Sequence, residues 1–113
     1  MSTDCIFCRI AAGEIPANVV LQTPSVLVFR DIAPKAPIHL LVIPKKHIAT
    51  VNDITSEDWE LVGQLFDAAA QAARMEGVAE KGYRLITNVN ADGGQEVFHI
   101  HLHLLAGKRL GFS

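Results

Sequence analysis

Residues 99–105 read His-Ile-His-Leu-His-Leu-Leu and alternate strictly between imidazole and aliphatic side chains as far as Leu104. In a β-strand, successive side chains point to opposite faces, so His99, His101 and His103 share one face while the aliphatic residues between them face the core. Three of the chain's five histidines lie in this short segment, and packing alone explains such a pattern poorly. The segment therefore predicts a strand that presents a working site.

Two helices and four more strands are predicted around this strand. Asp4 is expected to cap a short helix at residues 5–12 that ends at Gly13. Thr55 and Asp58 resemble a capping box and predict one long helix, residues 56–76, with Gly77 beyond it. The predicted strands are residues 19–21, 26–30, 39–43, 83–88 and 97–105. Strands joined by hairpin-length connections around one long helix indicate an α+β fold with an antiparallel sheet.

Length and composition restrict the class of protein. The 113 residues suit a single domain spanning 1–113, with 50% hydrophobic and 19% charged residues. A net charge of −2 argues against a nucleic-acid partner, because such proteins usually carry a strong basic excess. No apolar run approaches the roughly 20 residues that span a bilayer. The first residues lack a secretory signal pattern, so we expect no membrane partner and a cytoplasmic location.

The predicted long helix has an apolar surface wider than one core requires. Its polar residues fall on one narrow stripe, which consists of Glu60, Gln64, Asp67, Gln71 and Arg74. At about 100° per residue, the remaining apolar arc covers roughly 200°. Such a helix is either sunk deep in a small domain or packed on both the sheet and a second subunit. The second interpretation predicts a homodimer.

Two kinds of chemistry suit the three histidines. Neighbouring imidazoles can converge on zinc. Alternatively, one imidazole can attack phosphorus while a second donates a proton to the leaving group. The preceding segment, Gly93 to Glu96, favours an anionic ligand, because two glycines allow backbone N–H groups to approach it closely. The chain contains neither a P-loop motif nor the Gly-x-Ser-x-Gly motif of α/β-hydrolases.

The only two cysteines, Cys5 and Cys8, form a Cys-x-x-Cys motif. Without a secretory signal, this pair indicates metal or redox chemistry before a structural disulfide. Three interpretations remain open: two ligands of a zinc site, two buried thiols, or a redox pair at a helix start whose first thiol has a lowered pKa. A closed zinc site needs two more ligands.

Taken together, these segments resemble a known family. The histidine segment looks like the motif of the histidine triad (HIT) family. Three further segments, residues 30–39, 42–48 and 93–95, resemble its nucleotide-binding (Hint) branch. The resemblance runs from Cys5 to about Gly107 and involves several motifs in the same order. It implies the histidine triad fold, with a five-stranded antiparallel sheet, one long helix and one short helix, working as a homodimer.

The resemblance also implies an activity and a site. The activity is hydrolysis of purine nucleoside phosphoramidates and acyl nucleotides through a nucleotidyl-histidine intermediate. His101 matches the nucleophile, His103 the histidine that contacts phosphate or the leaving group, and His39 its support; His99 completes the triad. Asp31 matches the ribose-binding acid. The implied contacts to base and phosphate are Phe7, Ile10, Ile15, Phe29, Ile32, Asn88, Gly94, Gln95 and Glu96.

Some members of the family bind a structural zinc ion, and the matching ligands here are Cys5, Cys8, His47 and His99. No organic cofactor is implied. One departure stands out: many relatives have Ser or Thr in place of Glu96, and a carboxylate cannot donate to phosphate, so only the backbone N–H of Glu96 is carried over. Two other function classes are a nucleotide-binding regulatory module with incidental turnover, and a hydrolase with zinc on all three motif histidines.

Overall fold

The computed structural model describes residues 4–111 as one five-stranded sheet with two α-helices. The predicted α+β class and antiparallel sheet are confirmed. The elements, in chain order, are α1 (Ile6–Ala11), β1 (Val19–Gln22), β2 (Val26–Arg30), β3 (Ile38–Pro44), a 3₁₀ turn (Val51–Asp53), α2 (Trp59–Met75), β4 (Arg84–Ile86) and β5 (Leu102–Ala106). Within residues 4–111, no helix has both the length and the apolarity needed to cross a bilayer.

The sheet has the strand order β1-β2-β3-β5-β4, and every neighbouring pair is antiparallel. Leu40 pairs with Leu104, and both belong to the apolar cluster that α2 covers. Leu41 pairs with His103 on the opposite face, where Phe7 and Phe29 also pack. The sheet therefore separates a helix-covered core from the face that carries the histidines.

The long helix α2 packs on the sheet through small side chains. Its buried residues are Leu65, Ala68, Ala69, Ala72 and Ala73. Alanines allow the helix to lie close to the strands, which leaves the bulky apolar side chains elsewhere on its surface. Trp59, Phe66 and Met75 are each at least half exposed. The core of a single chain therefore does not bury the whole apolar surface of α2.

Several predicted boundaries were wrong, each for a local reason. Cys5, rather than Asp4, caps α1, because its sulfur accepts a hydrogen bond from the Cys8 N–H at 3.3 Å. The Asp58 carboxylate does accept from the backbone and hydroxyl of Thr55, but the chain makes a turn there and α2 starts only at Trp59.

The last two strands are shorter than predicted. β4 covers only Arg84–Ile86 of the predicted residues 83–88. β5 begins at Leu102, so His99 and His101 precede the ladder. Ile100 instead donates its N–H to the Ile48 carbonyl at 2.7 Å. The predicted division of faces nevertheless holds, because Ile100, Leu102 and Leu104 all lie in the core beneath α2.

Candidate active site and metal cluster

A cavity of about 410 Å³ opens on the face of the sheet that carries the histidines. This volume lies within the range of small-molecule sites. Most of the residues implied by the family resemblance line it: Phe7, Ile10, Ile15, Phe29, Asp31, Ile32, Asn88, Gly94, Glu96, His101 and His103. Aliphatic and aromatic side chains thus form one part of the wall, and the two imidazoles and two carboxylates form the other.

His101 presents one nitrogen to the cavity with its lone pair free. Its Nδ1–H donates to the His99 carbonyl at 2.8 Å, which fixes the proton on Nδ1. Burial lowers the pKa of His101, while that carbonyl and the carboxylates of Asp31 and Glu96 oppose the shift. The imidazole is therefore neutral at neutral pH, and its Nε2 has the properties of a nucleophile.

His39 fixes the tautomer of His103 through a chain of hydrogen bonds. The backbone N–H of Lys35 donates to His39 Nδ1 at 3.1 Å, so the proton of neutral His39 is on Nε2. That Nε2–H donates to His103 Nδ1 at 2.9 Å. Burial, and then the neighbouring imidazoles of His101 and His39, lower the pKa of His103 to about 4. His103 consequently carries its own proton on Nε2 and can donate it to a ligand.

Asp31 lies at the end of β2 and is held by the loop that follows. Its Oδ1 accepts from the Ala33 N–H at 2.8 Å, and its Oδ2 lies 3.4 Å from His39 Nε2. Arg30, the residue before it, forms a two-pronged ion pair with Glu76 at the end of α2, with distances of 2.9 and 2.8 Å. The carboxylate is thus fixed at the cavity wall with room to accept ligand hydroxyls.

The glycine loop supplies fewer free amides than its sequence suggests. Gly93 is sterically required, because a Cβ there would lie 2.4 Å from the Val89 carbonyl oxygen. The N–H groups of Gly94 and Gln95 are already bonded to the carbonyls of Ala91 and Asn90. Among the described residues, the Glu96 N–H alone of these three has no acceptor. Of these three amides, only that of Glu96 is therefore free to bind an anion.

Gln95 does not line the cavity, which corrects its assignment as a ligand contact. Its side chain is buried and ties the loop to the rest of the fold, accepting from the Asn90 N–H at 2.9 Å and donating to the Ala49 carbonyl at 2.8 Å. Asn88 also holds the loop, because its amide donates to the Gly93 carbonyl at 2.7 Å. Gln95 is a structural residue of the site.

A separate cluster brings Cys5, Cys8, His47 and His99 together, with one ligand atom from each within 4.8 Å of the others. Tetrahedral zinc requires about 3.5 Å between sulfur and nitrogen ligands and about 3.3 Å between two nitrogens. Three of the four sulfur-to-nitrogen distances are 3.2 to 3.5 Å, and the two Nδ1 atoms lie 3.3 Å apart. The geometry therefore fits a metal ion of that coordination.

The surroundings of the cluster also suit a cation. His99 Nε2–H donates to the Pro44 carbonyl at 2.7 Å, which leaves Nδ1 unprotonated as a ligand. Burial, and then the neighbouring Cys5 thiol, raise the pKa of Cys8 to about 11, so this sulfur remains protonated without a cation beside it. Because the His99 ring is fully buried in this cluster, the three motif histidines do not converge on one ion.

The structure adds residues that the sequence analysis did not identify. Ile6, Pro16, Ala17, Arg30, Leu41 and Val97 also line the cavity. The Lys35 amide and the Pro44 carbonyl set imidazole tautomers, yet both are backbone groups whose side chains carry no signal. The side chains of His39 and His99 do not line the cavity; His39 contacts His103, and the His99 carbonyl contacts His101.

Comparison with known proteins agrees with this geometry. A family model described as HIT domain matches residues 12–110. The chain is 50% identical over 111 residues to the purine nucleoside phosphoramidase of Escherichia coli, covering 98% of this chain and 93% of that protein. It is 46% identical over 112 residues to an uncharacterised HIT-like protein of Synechococcus elongatus, covering 99% and 97%.

Solved structures give the same result. A HIT family hydrolase from Legionella pneumophila superimposes with a TM-score of 0.94 at 56% identity, over 96% of this chain and 97% of that one. A histidine triad protein from Clostridium difficile gives a TM-score of 0.97 at 43% identity, over 100% and 98%. The chain belongs to the HIT family and has the histidine triad fold.

Proposed function

We propose that this protein hydrolyses purine nucleoside phosphoramidates and acyl nucleotides through a covalent nucleotidyl intermediate on His101. The observation that carries the proposal is the hydrogen bond from His101 Nδ1–H to the His99 carbonyl, because it leaves Nε2 free at the cavity. The 50% identity to a purine nucleoside phosphoramidase supports the substrate class.

Each part of the cavity has a role in binding. The apolar wall, with Phe7, Phe29 and the exposed Ile32, accommodates the base. Asp31 accepts the ribose hydroxyls, and the Glu96 N–H and the Nε2–H of His103 donate to the phosphate. Preorganised donors of this kind usually supply the largest part of transition-state stabilisation.

The reaction proceeds in two displacements. In the first, His101 Nε2 bonds to the α-phosphorus and the P–N bond breaks. Binding of the negative phosphate raises the proton affinity of the neutral His39–His103 pair, so the pair takes up one proton with the substrate and gives it to the leaving amine. In the second, water attacks the phosphorus, breaks the bond to Nε2 and returns one proton to the site. The overall reaction consumes one water and yields a nucleoside monophosphate and an amine.

Single-turnover kinetics with a radiolabelled adenosine phosphoramidate tests this proposal. We expect an acid-labile label on His101, trapped by a rapid quench. His101→Ala should lose nearly all turnover but still bind AMP, because Asp31 and the apolar wall remain. His103→Ala should lose a smaller factor, of the roughly 10²–10⁴ that general acid catalysis gives. A label on another histidine, or wild-type turnover in His101→Ala, would refute the assignment.

We further propose that Cys5, Cys8, His47 and His99 hold one structural zinc ion, on the basis of the tetrahedral spacing of their donor atoms. Elemental analysis of protein purified without chelator should find about one zinc per chain. The redox and plain-thiol interpretations predict none. Zinc bound there neutralises the two thiolates and fills its own coordination with protein ligands.

We also propose a homodimer, formed through the exposed apolar side of α2 and the edge strand β4. β4 is the last strand in the sheet order, and within the described residues its outer edge carries no partner strand. Trp59 and Phe66 lie two turns apart on one flank of α2 and provide an exposed apolar surface. An exposed patch of this kind marks an interaction site.

A further inference from the structure

The metal cluster and the reaction centre share a residue. The side chain of His99 contributes Nδ1 to the cluster, while its backbone carbonyl accepts the Nδ1–H of His101. Its ring has no exposed surface, and its Nε2–H is bonded to the Pro44 carbonyl. Both ring nitrogens of His99 therefore have partners, which fix the position of the residue and of the backbone carbonyl that accepts from His101.

A second connection runs through α1. Cys5 caps this helix and Cys8 lies in its first turn, so the cluster holds the start of the helix. Phe7 lies between the two cysteines, and its ring centroid is 5.1 Å from that of His101, at an interplanar angle of 90°. The same ring lies 5.9 Å from His99 and 5.7 Å from Phe29.

The helix α1 has little stability of its own. It contains six residues, well below the length at which an isolated helix is stable in water. It is attached to the sheet through its packed side chains, which are Phe7, Ile10 and Ala11, and through the two cysteines at its start. Separation of the four ligands would therefore remove the constraint on the first turn of α1, which carries the Phe7 ring.

We propose that metal binding by Cys5, Cys8, His47 and His99 positions His101 for attack, through the His99 carbonyl and the Phe7 ring. This inference rests on the proposed role of His101 as nucleophile. His99 is then a positioning residue. Its ring takes no part in the chemistry, but displacement of its carbonyl releases the proton on His101 Nδ1 to either nitrogen. A displacement of about 1 Å in a reacting group can cost about 10²-fold in rate.

His47→Ala is the variant of choice, because His47 is exposed and lines no part of the cavity. It removes one ligand and leaves Phe7, His99 and His101 unchanged. His47→Cys is the matched conservative variant, since a thiolate can replace the imidazole as a zinc ligand. Measurements are zinc content, thermal unfolding, the imidazole tautomers by ¹⁵N NMR, and kcat and KM with an adenosine phosphoramidate.

We expect wild type and His47→Cys to bind about one zinc and to show His101 only in its Nδ1–H tautomer. His47→Ala should lose the zinc, show a mixture of His101 tautomers, and lose about 10- to 100-fold in kcat with a smaller change in KM. Loss of zinc with an unchanged His101 tautomer and unchanged kcat would overturn the proposal. So would a loss of kcat in a His47→Ala protein that keeps its zinc and its His101 tautomer.

Chelation of the wild-type protein keeps the test decisive if His47→Ala does not fold. Withdrawal of zinc should produce a mixture of His101 tautomers, and added zinc should restore the Nδ1–H form. His101 ¹⁵N signals that stay the same in both steps would contradict the proposal. The tautomer readout needs no substrate. Failure of wild type to form a label on His101 would therefore refute the proposed function, whereas the NMR response tests the coupling alone.

Discussion

His103→Gln should reduce the acid sensitivity of folding, because the wild-type imidazole resists protonation only in the folded state. Burial and the neighbouring imidazoles lower its pKa from the ordinary 6.5 to about 4. Between these two values, the unfolded chain binds a proton that the folded chain does not. Stability therefore rises with pH across this window and is lost as the pH falls from 6.5 towards 4.

The size of the effect follows from the two pKa values. Each tenfold difference in proton affinity between the folded and unfolded chains corresponds to about 1.4 kcal/mol, and the full difference is reached only below the folded-state pKa. At about pH 5 this difference in proton binding lowers the free energy of unfolding by about 2 kcal/mol, whereas at about pH 7 its effect is close to zero. Glutamine does not titrate, so the variant lacks this contribution at every pH.

Urea unfolding of both proteins at about pH 7 and about pH 5 measures the difference. Groups that titrate in this range without contacting His103, including the metal ligands, cancel when the two losses are compared. On acidification, the free energy of unfolding should fall by about 2 kcal/mol more in wild type than in His103→Gln. Equal losses would show that His103 is protonated as easily when folded as when unfolded, and would refute the neutral Nε2–H donor.

Four further results are expected. Because burial lowers the pKa of His101, the loss of kcat/KM on acidification should begin only below pH 6.5, and an acid limb above that value contradicts a neutral nucleophile. Asp31→Asn should weaken AMP binding about 10-fold in calorimetry, since a charged hydrogen-bond acceptor is lost; unchanged affinity argues against the ribose contact. In light scattering, Phe66→Glu should be a monomer, whereas Gln64→Glu, on the polar stripe of α2, should remain a dimer. A mass of 12.3 kDa for wild type would refute the proposed dimer. Because the Glu96 carboxylate lines the cavity and its charge acts on His101, we expect it to attract a cationic leaving group. Wild type should therefore prefer a phosphoramidate whose amine carries a second ammonium group over its uncharged isostere, and Glu96→Gln should reduce that preference about 3- to 30-fold; equal rates with the two substrates in wild type would show that the carboxylate does not contact the leaving group.

The faces of the sheet could be predicted from sequence because alternation is a local property. Ile100, Leu102 and Leu104 are in the core although only the last two belong to β5. An extended backbone keeps the alternation even where the ladder hydrogen bonds have not begun. The register could not be predicted, since the Ile100 N–H bonds to the Ile48 carbonyl, in a loop distant in the sequence.

The limits of the site prediction have a similar cause. Most of the side chains around the cavity could be predicted, because they belong to residue types that signal binding. The free amides of the glycine loop could not, because the bonds of Gly94 and Gln95 to their own loop depend on its turn geometry. A glycine pair shows that backbone can come close to a ligand, but it does not show which N–H groups are free.

The three motif histidines have the same side-chain chemistry, and backbone or neighbouring groups give each a different function. His99 donates from Nε2 to the Pro44 carbonyl and therefore offers Nδ1 to a metal. His101 donates from Nδ1 to the His99 carbonyl and therefore leaves Nε2 free at the cavity. His103 accepts at Nδ1 from His39 and therefore donates from Nε2. The type of side chain therefore does not distinguish the three histidines; the backbone or imidazole partner of each one decides which nitrogen is free.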